Sequence, residues 1–176
     1  MRVVAGTVGG RRLAVPPGRT TRPTSDLVRG AVFNSLGARG VLEGASVADL
    51  FAGSGALGIE ALSRGAAHAT FVEADRRAAA VISRNLAALG LTDRARVEVV
   101  PVERWHPVDV DVVLVDPPYG WDGWDDLLAR LQPLSGALVV AEAERDVEAD
   151  GWEVVARKRH GGTVVTQLRP RGATRQ

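Results

Sequence analysis

From residue 46 onward, short apolar runs alternate with segments whose apolar positions recur every three or four residues. Apolar runs of this length predict buried strands, and the three-to-four-residue period predicts helices. The predicted strands are 46–51, 69–73, 96–100, 111–115 and 137–141, and the predicted helices are 56–64, 76–89 and 124–131. Strands that are apolar almost throughout and alternate with helices predict an α/β fold with a mostly parallel, doubly wound sheet.

The two ends of the chain have a different pattern. Residues 2–15 place two apolar-rich runs around Gly9-Gly10, which predicts a β-hairpin. A capping hydroxyl at Thr24 or Ser25 and an apolar face predict a helix that extends to Leu36. We expect residues 1–20 to form a basic N-terminal β-hairpin extension, and residues 21–176 to form the main domain.

A second hairpin is predicted at the C-terminal end. The runs 152–159 and 163–169 are rich in β-branched residues and flank Gly161-Gly162. Because this unit follows a series of strands joined by helices, we expect it to form an antiparallel edge of the same sheet.

Composition excludes several classes of protein. The 176 residues are 45% hydrophobic, which is enough for a sizeable core, and no apolar run is long enough to span a bilayer. The chain has no cysteine, so disulfides, thiolate metal sites and the cysteine adduct of pyrimidine-C5 methylation are excluded. His68, His106 and His160 show no ligand spacing, and we expect no metal. The N-terminus lacks the apolar core of a signal peptide, so we expect a cytoplasmic protein, and we expect it to be a monomer.

Charge is distributed unevenly although the net charge is only +1. Residues 1–39 contain seven arginines and one acid, and residues 157–176 contain six basic residues and no acid, whereas the middle of the chain is acidic. Basic ends on an acidic body favour a polyanionic partner such as nucleic acid. The predicted nucleic-acid-binding residues are Arg2, Arg11, Arg12, Arg19 and Arg22.

A glycine-rich segment follows the first strand of the βα series. Gly53, Gly55 and Gly58 allow a tight turn and close approach of the backbone to a ligand. Glu73, at the tip of the second strand, can accept hydrogen bonds from both hydroxyls of a ribose, as NAD and S-adenosylmethionine both require. Asp49 favours S-adenosylmethionine, since an acid here would face its ammonium and sulfonium charges but would repel a pyrophosphate.

The tetrapeptide Asp116-Pro117-Pro118-Tyr119 is the main candidate for chemistry, and it follows a buried strand. Proline fixes φ and has no N–H, so the carbonyls of Asp116 and Pro117 are held as acceptors beside a carboxylate. Tyr119 offers a flat face on which a base can stack, worth about 1–3 kcal/mol. We therefore predict that these four catalytic residues hold a planar base by its exocyclic amino group.

Three parts of the chain together resemble one family. They are the N-terminal segment 2–36, the segment 49–66 and the tetrapeptide 116–119. They are similar to the bacterial S-adenosylmethionine-dependent methyltransferases that modify the exocyclic N2 amine of a guanine in 16S ribosomal RNA. The glycine and Pro-Pro motifs are shared with other methyltransferases, and the N-terminal segment is the more specific part.

The resemblance implies a Rossmann-like class I methyltransferase fold with a seven-stranded sheet, an N-terminal hairpin that helps to hold RNA, and the small ribosomal subunit as partner. In many methyltransferases a polar side chain after the third strand binds the adenine, but Pro101 occupies that position here. The amide of Val102 could still serve. Gly30 replaces the acid usual after Arg29. The cofactor-binding residues predicted in all are Asp49, Phe51, Gly53, Ser54, Gly55, Gly58, Glu73 and Val102.

Three alternatives stay open at the level of sequence. A DNA methyltransferase acting on adenine or cytosine amines would use the same tetrapeptide, although the chain has little room for a sequence-reading domain. A nucleotide-dependent oxidoreductase would use the glycine segment but would leave residues 116–119 and the basic ends unexplained. A non-catalytic ribosome-assembly factor would not need the intact tetrapeptide.

Overall fold

The computed structural model describes residues 1–17, 26–107 and 109–172. Within this part of the chain, two short 3-10 helices, Thr92–Arg94 and Val102–Arg104, accompany the main elements. The helices are α1 (Asp26–Ala38), α2 (Ala56–Ser63), α3 (Arg76–Leu89) and α4 (Trp124–Leu131). The strands are β1 (Ser46–Leu50), β2 (His68–Val72), β3 (Ala95–Glu98), β4 (Val112–Val115), β5 (Leu138–Ala143), β6 (Trp152–His160) and β7 (Thr163–Pro170).

All seven strands form one sheet in the order β3-β2-β1-β4-β5-β7-β6. Strands β1 to β5 pair in parallel, and β7 pairs antiparallel with both β5 and β6. The predicted parallel sheet with an antiparallel C-terminal edge hairpin is therefore confirmed. The chain order reverses between β1 and β4, and ligands of open α/β sheets bind at such a point, beyond the carboxyl ends of the strands.

The core lies on both faces of the sheet because alternate strand residues point to opposite sides. Val47 and Leu114 pack with α1 and α2 on one face, whereas Ala48 and Val115 pack with α4 on the other. A third cluster joins the N-terminal segment to α2 and α3. No helix in the described residues has the length and apolar character needed to cross a membrane.

The N-terminal hairpin is present, but its strands are very short. Arg2 and Arg12 form a single antiparallel bridge, and the Val3 amide donates to the Arg11 carbonyl at 3.0 Å. The turn spans residues 6–10, and the Gly9 amide donates to the Gly6 carbonyl at 3.1 Å. The hairpin is fixed to the sheet's helices by two of its apolar side chains, Val3 and Leu13, which are buried against α2 and α3.

Buried polar side chains also fasten this hairpin to the main body. The Glu60 carboxylate accepts hydrogen bonds from the Val4 amide at 2.7 Å and the Ala5 amide at 3.1 Å. Asn85 pairs with both main-chain groups of Ala14, accepting at 2.9 Å and donating at 3.0 Å. Satisfied buried groups of this kind are costly to break. The boundary predicted at residue 20 falls outside the described residues, so the division into two units stays a prediction.

Candidate functional site

Two adjoining cavities open at the carboxyl ends of the parallel strands. The larger, of about 520 Å³, contains residues of the glycine segment, the tetrapeptide 116–119 and the N-terminal hairpin. The smaller, of about 280 Å³, lies between the ends of β2 and β3. Phe51, Pro118 and Trp121 line both cavities. An elongated ligand could therefore occupy the smaller cavity with one end and reach the tetrapeptide with the other.

The chain turns sharply out of β1 into the glycine segment. Strand β1 ends at Leu50, one residue earlier than predicted, because Phe51 adopts a φ of 61°. A bulky residue in this left-handed region is unusual and often marks a functional turn. Gly55 has a φ of 80° at the N-terminus of α2, where a side chain would be strained. Gly53 and Ser54 line the larger cavity, whereas Gly55 lies outside both.

Gly58 has a packing role in this structure. A Cβ at this position would lie 2.4 Å from Cε1 of the buried Phe71 ring, so α2 can approach β2 only if residue 58 lacks a side chain. The Gly58 amide donates to Asp49 Oδ2 at 2.8 Å. Gly58 lies outside both cavities, so its contribution to the cleft is the close approach of α2 to β2 and the hydrogen bond to Asp49.

Asp49 is 2% exposed and lines the larger cavity. Burial raises the pKa of its carboxyl well above the usual value, and the nearby charges of Asp116 and Glu73 raise the pKa further, while the hydrogen bond from Gly58 opposes them. A buried acid that lies near two other acids creates an electrostatic environment that favours a cationic ligand. The contact of Asp49 with the methionine end of the cofactor stays a prediction.

Glu73 lies just beyond the end of β2 and lines the smaller cavity. Its Oε2 accepts a hydrogen bond from the Gly53 amide at 2.8 Å, and its Oε1 accepts one from the Asp75 amide at 2.9 Å. Each carboxylate oxygen can accept a second hydrogen bond. Glu73 therefore connects the glycine segment to the end of β2, and its binding of ribose hydroxyls stays a prediction.

Val102 and Pro101 line the smaller cavity opposite Glu73. Pro101 is extended, with a φ of −60° and a ψ of 145°, and Val102 begins the short 3-10 helix. Arg130 of α4 donates to the Val102 carbonyl at 2.9 Å, which fixes this turn from below. The turn thus presents an apolar wall beside an acid, a combination that suits the face of a purine and its ribose.

The tetrapeptide follows β4 at the centre of the sheet. Register pairs Leu50 with Val115, so Phe51 and Asp116 leave the sheet side by side. All four residues, Asp116 to Tyr119, line the larger cavity. Asp116 and Pro117 are half-buried, whereas Tyr119 is 75% exposed. The arrangement places a carboxylate and a constrained carbonyl inside the cleft and an aromatic ring at its mouth.

Trp121 forms the wall between the two cavities. Its ring makes edge-to-face contacts with Phe51 and with Trp124, each with centroids 5.1 Å apart. Such pairs contribute about 0.5–1.5 kcal/mol beyond the area that they bury. The only local signal for Trp121 in the sequence is its position two residues after Tyr119.

Other residues of the cleft have no local sequence motif. Met1, Val15 and Pro16 bring the open end of the hairpin into the larger cavity, and Ser54 Oγ lies 3.5 Å from Met1 Sδ. Arg29 is fully buried and also lines it, paired with Asp26 at 2.8 Å. The contact of Ser54 with Met1 joins positions 53 residues apart, so spacing along the sequence could not reveal it.

The arginines predicted to bind RNA differ in what they contact. Arg2 donates to the Gly10 carbonyl at 2.8 Å and Arg11 to the Ala88 carbonyl at 3.1 Å. Arg12 is exposed and forms neither an ion pair nor a side-chain hydrogen bond with the described residues. Arg19 and Arg22 lie outside the described residues. Within those residues, histidine, aspartate and glutamate side chains form no cluster of three that could hold a metal ion.

Comparison with known proteins identifies the relatives of this chain. A protein provisionally named rRNA methyltransferase YlbH, from Bacillus subtilis, is 37% identical over 98% of this chain and all of its own length. "Ribosomal RNA small subunit methyltransferase D" of Haemophilus influenzae is 32% identical over 92% of this chain and 89% of its own length. The Escherichia coli K12 protein of the same name is 42% identical, but the match covers 68% of this chain and 60% of that protein.

Solved structures agree with these relatives. An Escherichia coli protein provisionally named methyltransferase yhhF has a TM-score of 0.84 and 33% identity, with 97% of each chain covered. The class I methyltransferase fold expected from the sequence is thereby confirmed. The family model described as "Conserved hypothetical protein 95" matches residues 1–169. The chain therefore belongs to this family, and its resemblance to the methyltransferases of small-subunit ribosomal RNA is confirmed.

Proposed function

We propose that this protein transfers a methyl group from S-adenosylmethionine to the exocyclic N2 amine of a guanine in 16S ribosomal RNA. The observation that carries the proposal is the position of Asp116-Pro117-Pro118-Tyr119 in a cleft that also contains Asp49 and the glycine segment. The names and full-length similarity of the relatives support RNA of the small subunit as the substrate. We expect a cytoplasmic monomer that needs no metal.

The residues of the two cavities fit S-adenosylmethionine by their chemistry. Glu73 and Val102 line the smaller cavity and suit the ribose and adenine, while Asp49, Gly53 and Ser54 line the larger one and suit the amino-acid end. The buried Asp49 carboxylate, close to the charges of Asp116 and Glu73, favours a ligand that carries positive charge. When bound, the cofactor supplies an electrophilic methyl group on a sulfonium.

The guanine amine is a poor nucleophile because its lone pair is delocalised into the ring. In the proposed mechanism, the Asp116 carboxylate and the Pro117 carbonyl accept hydrogen bonds from the two N–H groups of the amine. These hydrogen bonds direct the nitrogen lone pair toward the methyl group. A new N–C bond forms as the S–C bond breaks, and the electron pair of that bond stays on sulfur. Asp116 stabilises the positive charge that develops on nitrogen and takes the proton released.

The target guanine must leave its helix or loop to reach this cleft. Tyr119, 75% exposed at the mouth, provides a surface on which the extruded base stacks. Proximity and orientation then account for much of the acceleration, since no covalent adduct with the protein is required. Arg2, Arg11 and Arg12, together with Arg19 and Arg22, are proposed to hold RNA phosphates.

The test is to incubate the protein with labelled S-adenosylmethionine and undermethylated small ribosomal subunits, and to identify the product by nucleoside mass spectrometry. Label recovered as N2-methylguanosine in 16S RNA supports the proposal. Label in methyladenine or methylcytosine of DNA would instead identify a DNA methyltransferase. Absence of transfer to any nucleic acid, with S-adenosylhomocysteine still bound, would indicate an assembly factor.

A further inference from the structure

We infer that the C-terminal hairpin carries a second RNA-binding surface on the opposite side of the cleft from the N-terminal hairpin. The surface consists of Arg145, Lys158 and Arg159, and we call it the hairpin-tip patch. Its ligand is the phosphate backbone of the RNA strand whose target base enters the cleft. The inference rests on the proposed function, because it assigns that substrate a second contact.

Strand direction brings the hairpin-tip patch to the cleft. Strand β5 ends at the cleft edge of the sheet, β7 runs antiparallel to it and begins at that edge, and β6 ends there. Thr163, the first residue of β7, lines the larger cavity, as does Arg145 just after β5. The turn between β6 and β7 therefore lies at the same end of the sheet as Asp116.

Register gives the distance across the sheet. Lys158 pairs with Val165, which in turn pairs with Glu142, so the three residues form one row on one face. Glu142 lines the larger cavity. Two strand spacings place the Lys158 backbone about 10 Å from that of Glu142. A lysine side chain from this row can reach a phosphate that lies over the wall of the cleft.

The ion pairs near the hairpin tip show which basic side chains are available to bind a phosphate. Arg157 is neutralised, because it lies 3.0 Å from Asp146 and 2.8 Å from Glu148. Arg159 is 60% exposed and only 3.9 Å from Asp146, at the limit of an ion pair. Arg145 and Lys158 are exposed, and neither forms an ion pair or a side-chain hydrogen bond with the described residues. Arg145 and Lys158 therefore present positive charge that no described acid pairs with, and the charge of Arg159 is only weakly paired.

The charge of the cleft explains why such a patch is needed. Five acids line the larger cavity, Asp49, Asp116, Asp122, Glu142 and Glu144, against only two arginines, of which Arg29 is fully buried. These acids favour a cationic methyl donor but repel an approaching phosphate backbone. A strand that delivers its base to Asp116 must cross the mouth of the cleft. Cations on the side opposite the N-terminal hairpin would offset this repulsion.

The experiment compares the double variant R145A/K158A with wild type and with Arg96→Ala. Arg96 is 71% exposed on β3, at the opposite edge of the sheet from β6, so it controls for loss of charge alone. Affinity for protein-free 16S RNA is measured by fluorescence anisotropy from low to physiological salt. We expect about tenfold weaker binding by the double variant and a salt slope smaller by roughly one for each cation removed. Arg96→Ala should match wild type.

Unchanged affinity and salt slope of the double variant on protein-free RNA would overturn the inference. This holds even if its affinity for assembled subunits falls, because the patch would then contact a ribosomal protein. Binding of S-adenosylhomocysteine, followed by thermal shift, should be the same in all three proteins and verifies folding. Failure of the wild type to methylate RNA would contradict the proposed function but would leave this comparison of affinities readable.

Discussion

Asp49 and Gly58 are joined by a hydrogen bond in which the Gly58 amide donates to Asp49 Oδ2 at 2.8 Å. The acid at the end of β1 thus fixes the first turn of α2 while it lines the cleft. The Asp49 carboxylate thus has both a structural role, the hydrogen bond to α2, and an electrostatic role in the cleft. A substitution can test the two roles separately. An asparagine at position 49 keeps an oxygen that accepts the hydrogen bond but loses the charge.

The variant Asp49→Asn should therefore fold normally and bind S-adenosylmethionine at least tenfold more weakly. Its melting temperature should equal or exceed that of the wild type, because it no longer buries a charge. Calorimetric titration gives the affinity, and thermal unfolding gives the stability. Wild-type affinity in a folded Asp49→Asn protein would show that the carboxylate serves α2 alone.

The raised pKa of Asp49 also predicts a pH dependence. Burial is the main cause that raises the pKa of Asp49 above its value in the unfolded chain. At intermediate pH the native state therefore binds more protons than the unfolded state. The contribution of Asp49 to stability therefore falls as pH rises from the usual range of an aspartate pKa through the raised value. Unfolding measured across this range should show a fall in the wild type that is absent from Asp49→Asn.

The same ionisation should control the choice of ligand. Ionised Asp49 attracts a sulfonium, so affinity for S-adenosylmethionine should rise as pH rises through the Asp49 titration. Affinity for S-adenosylhomocysteine should rise less, because this ligand has no sulfonium charge. Titration calorimetry with both ligands at several pH values measures the ratio of the two affinities. A ratio that is independent of pH would mean that Asp49 does not sense the sulfonium.

Alanine substitutions at two glycines should change stability in opposite directions. Gly58→Ala places a Cβ 2.4 Å from the Phe71 ring and should destabilise the protein by about 1–3 kcal/mol. At Gly30, inside α1, a Cβ would lie 3.5 Å from Val4 Cγ1, which is ordinary contact. Gly30→Ala should stabilise the protein by about 0.5–1 kcal/mol, because alanine favours helix. Urea unfolding of both variants measures the difference, and effects of the same sign would contradict the packing described.

Tyr119 should matter to RNA methylation through its ring. Tyr119→Ala removes the stacking surface and should lower kcat/KM for RNA roughly 5- to 150-fold, the equivalent of about 1–3 kcal/mol. Tyr119→Phe keeps the surface and should retain most of the activity, and both variants should bind S-adenosylmethionine like the wild type. Equal losses in the two variants would assign the effect to the hydroxyl instead.

Much of the fold could be predicted because its signals are local. Helix α4 was predicted with the bounds that the structure has, and the strands were correct to within two residues at each end. The error at Phe51 has a physical cause, since its left-handed φ depends on how the loop packs against Trp121 rather than on local propensity. The strand β3 ends at Glu98, before the apolar pair Val99 and Val100, because only 95–98 pair with β2.

The candidate site was predictable where a motif carries it. Asp49, Glu73 and residues 116–119 were identified from their positions at strand ends, and the structure brings them to one edge of the sheet. The buried contacts of Glu60 and Asn85 with the hairpin were not predicted, since they join groups more than 50 residues apart. Long-range contacts of this kind depend on the packed fold and leave no periodic signal.

The most direct test of the account is the rate of methyl transfer to small-subunit RNA by Asp116→Ala in a single turnover at saturating S-adenosylmethionine. The account predicts that the variant still binds the donor, because Glu73, Val102 and Asp49, which are proposed to hold it, are unchanged. It also predicts a loss of at least a hundredfold in rate, since Asp116 orients the amine and stabilises its developing charge. Transfer at the wild-type rate by this variant would contradict the central claim that Asp116 is the catalytic carboxylate.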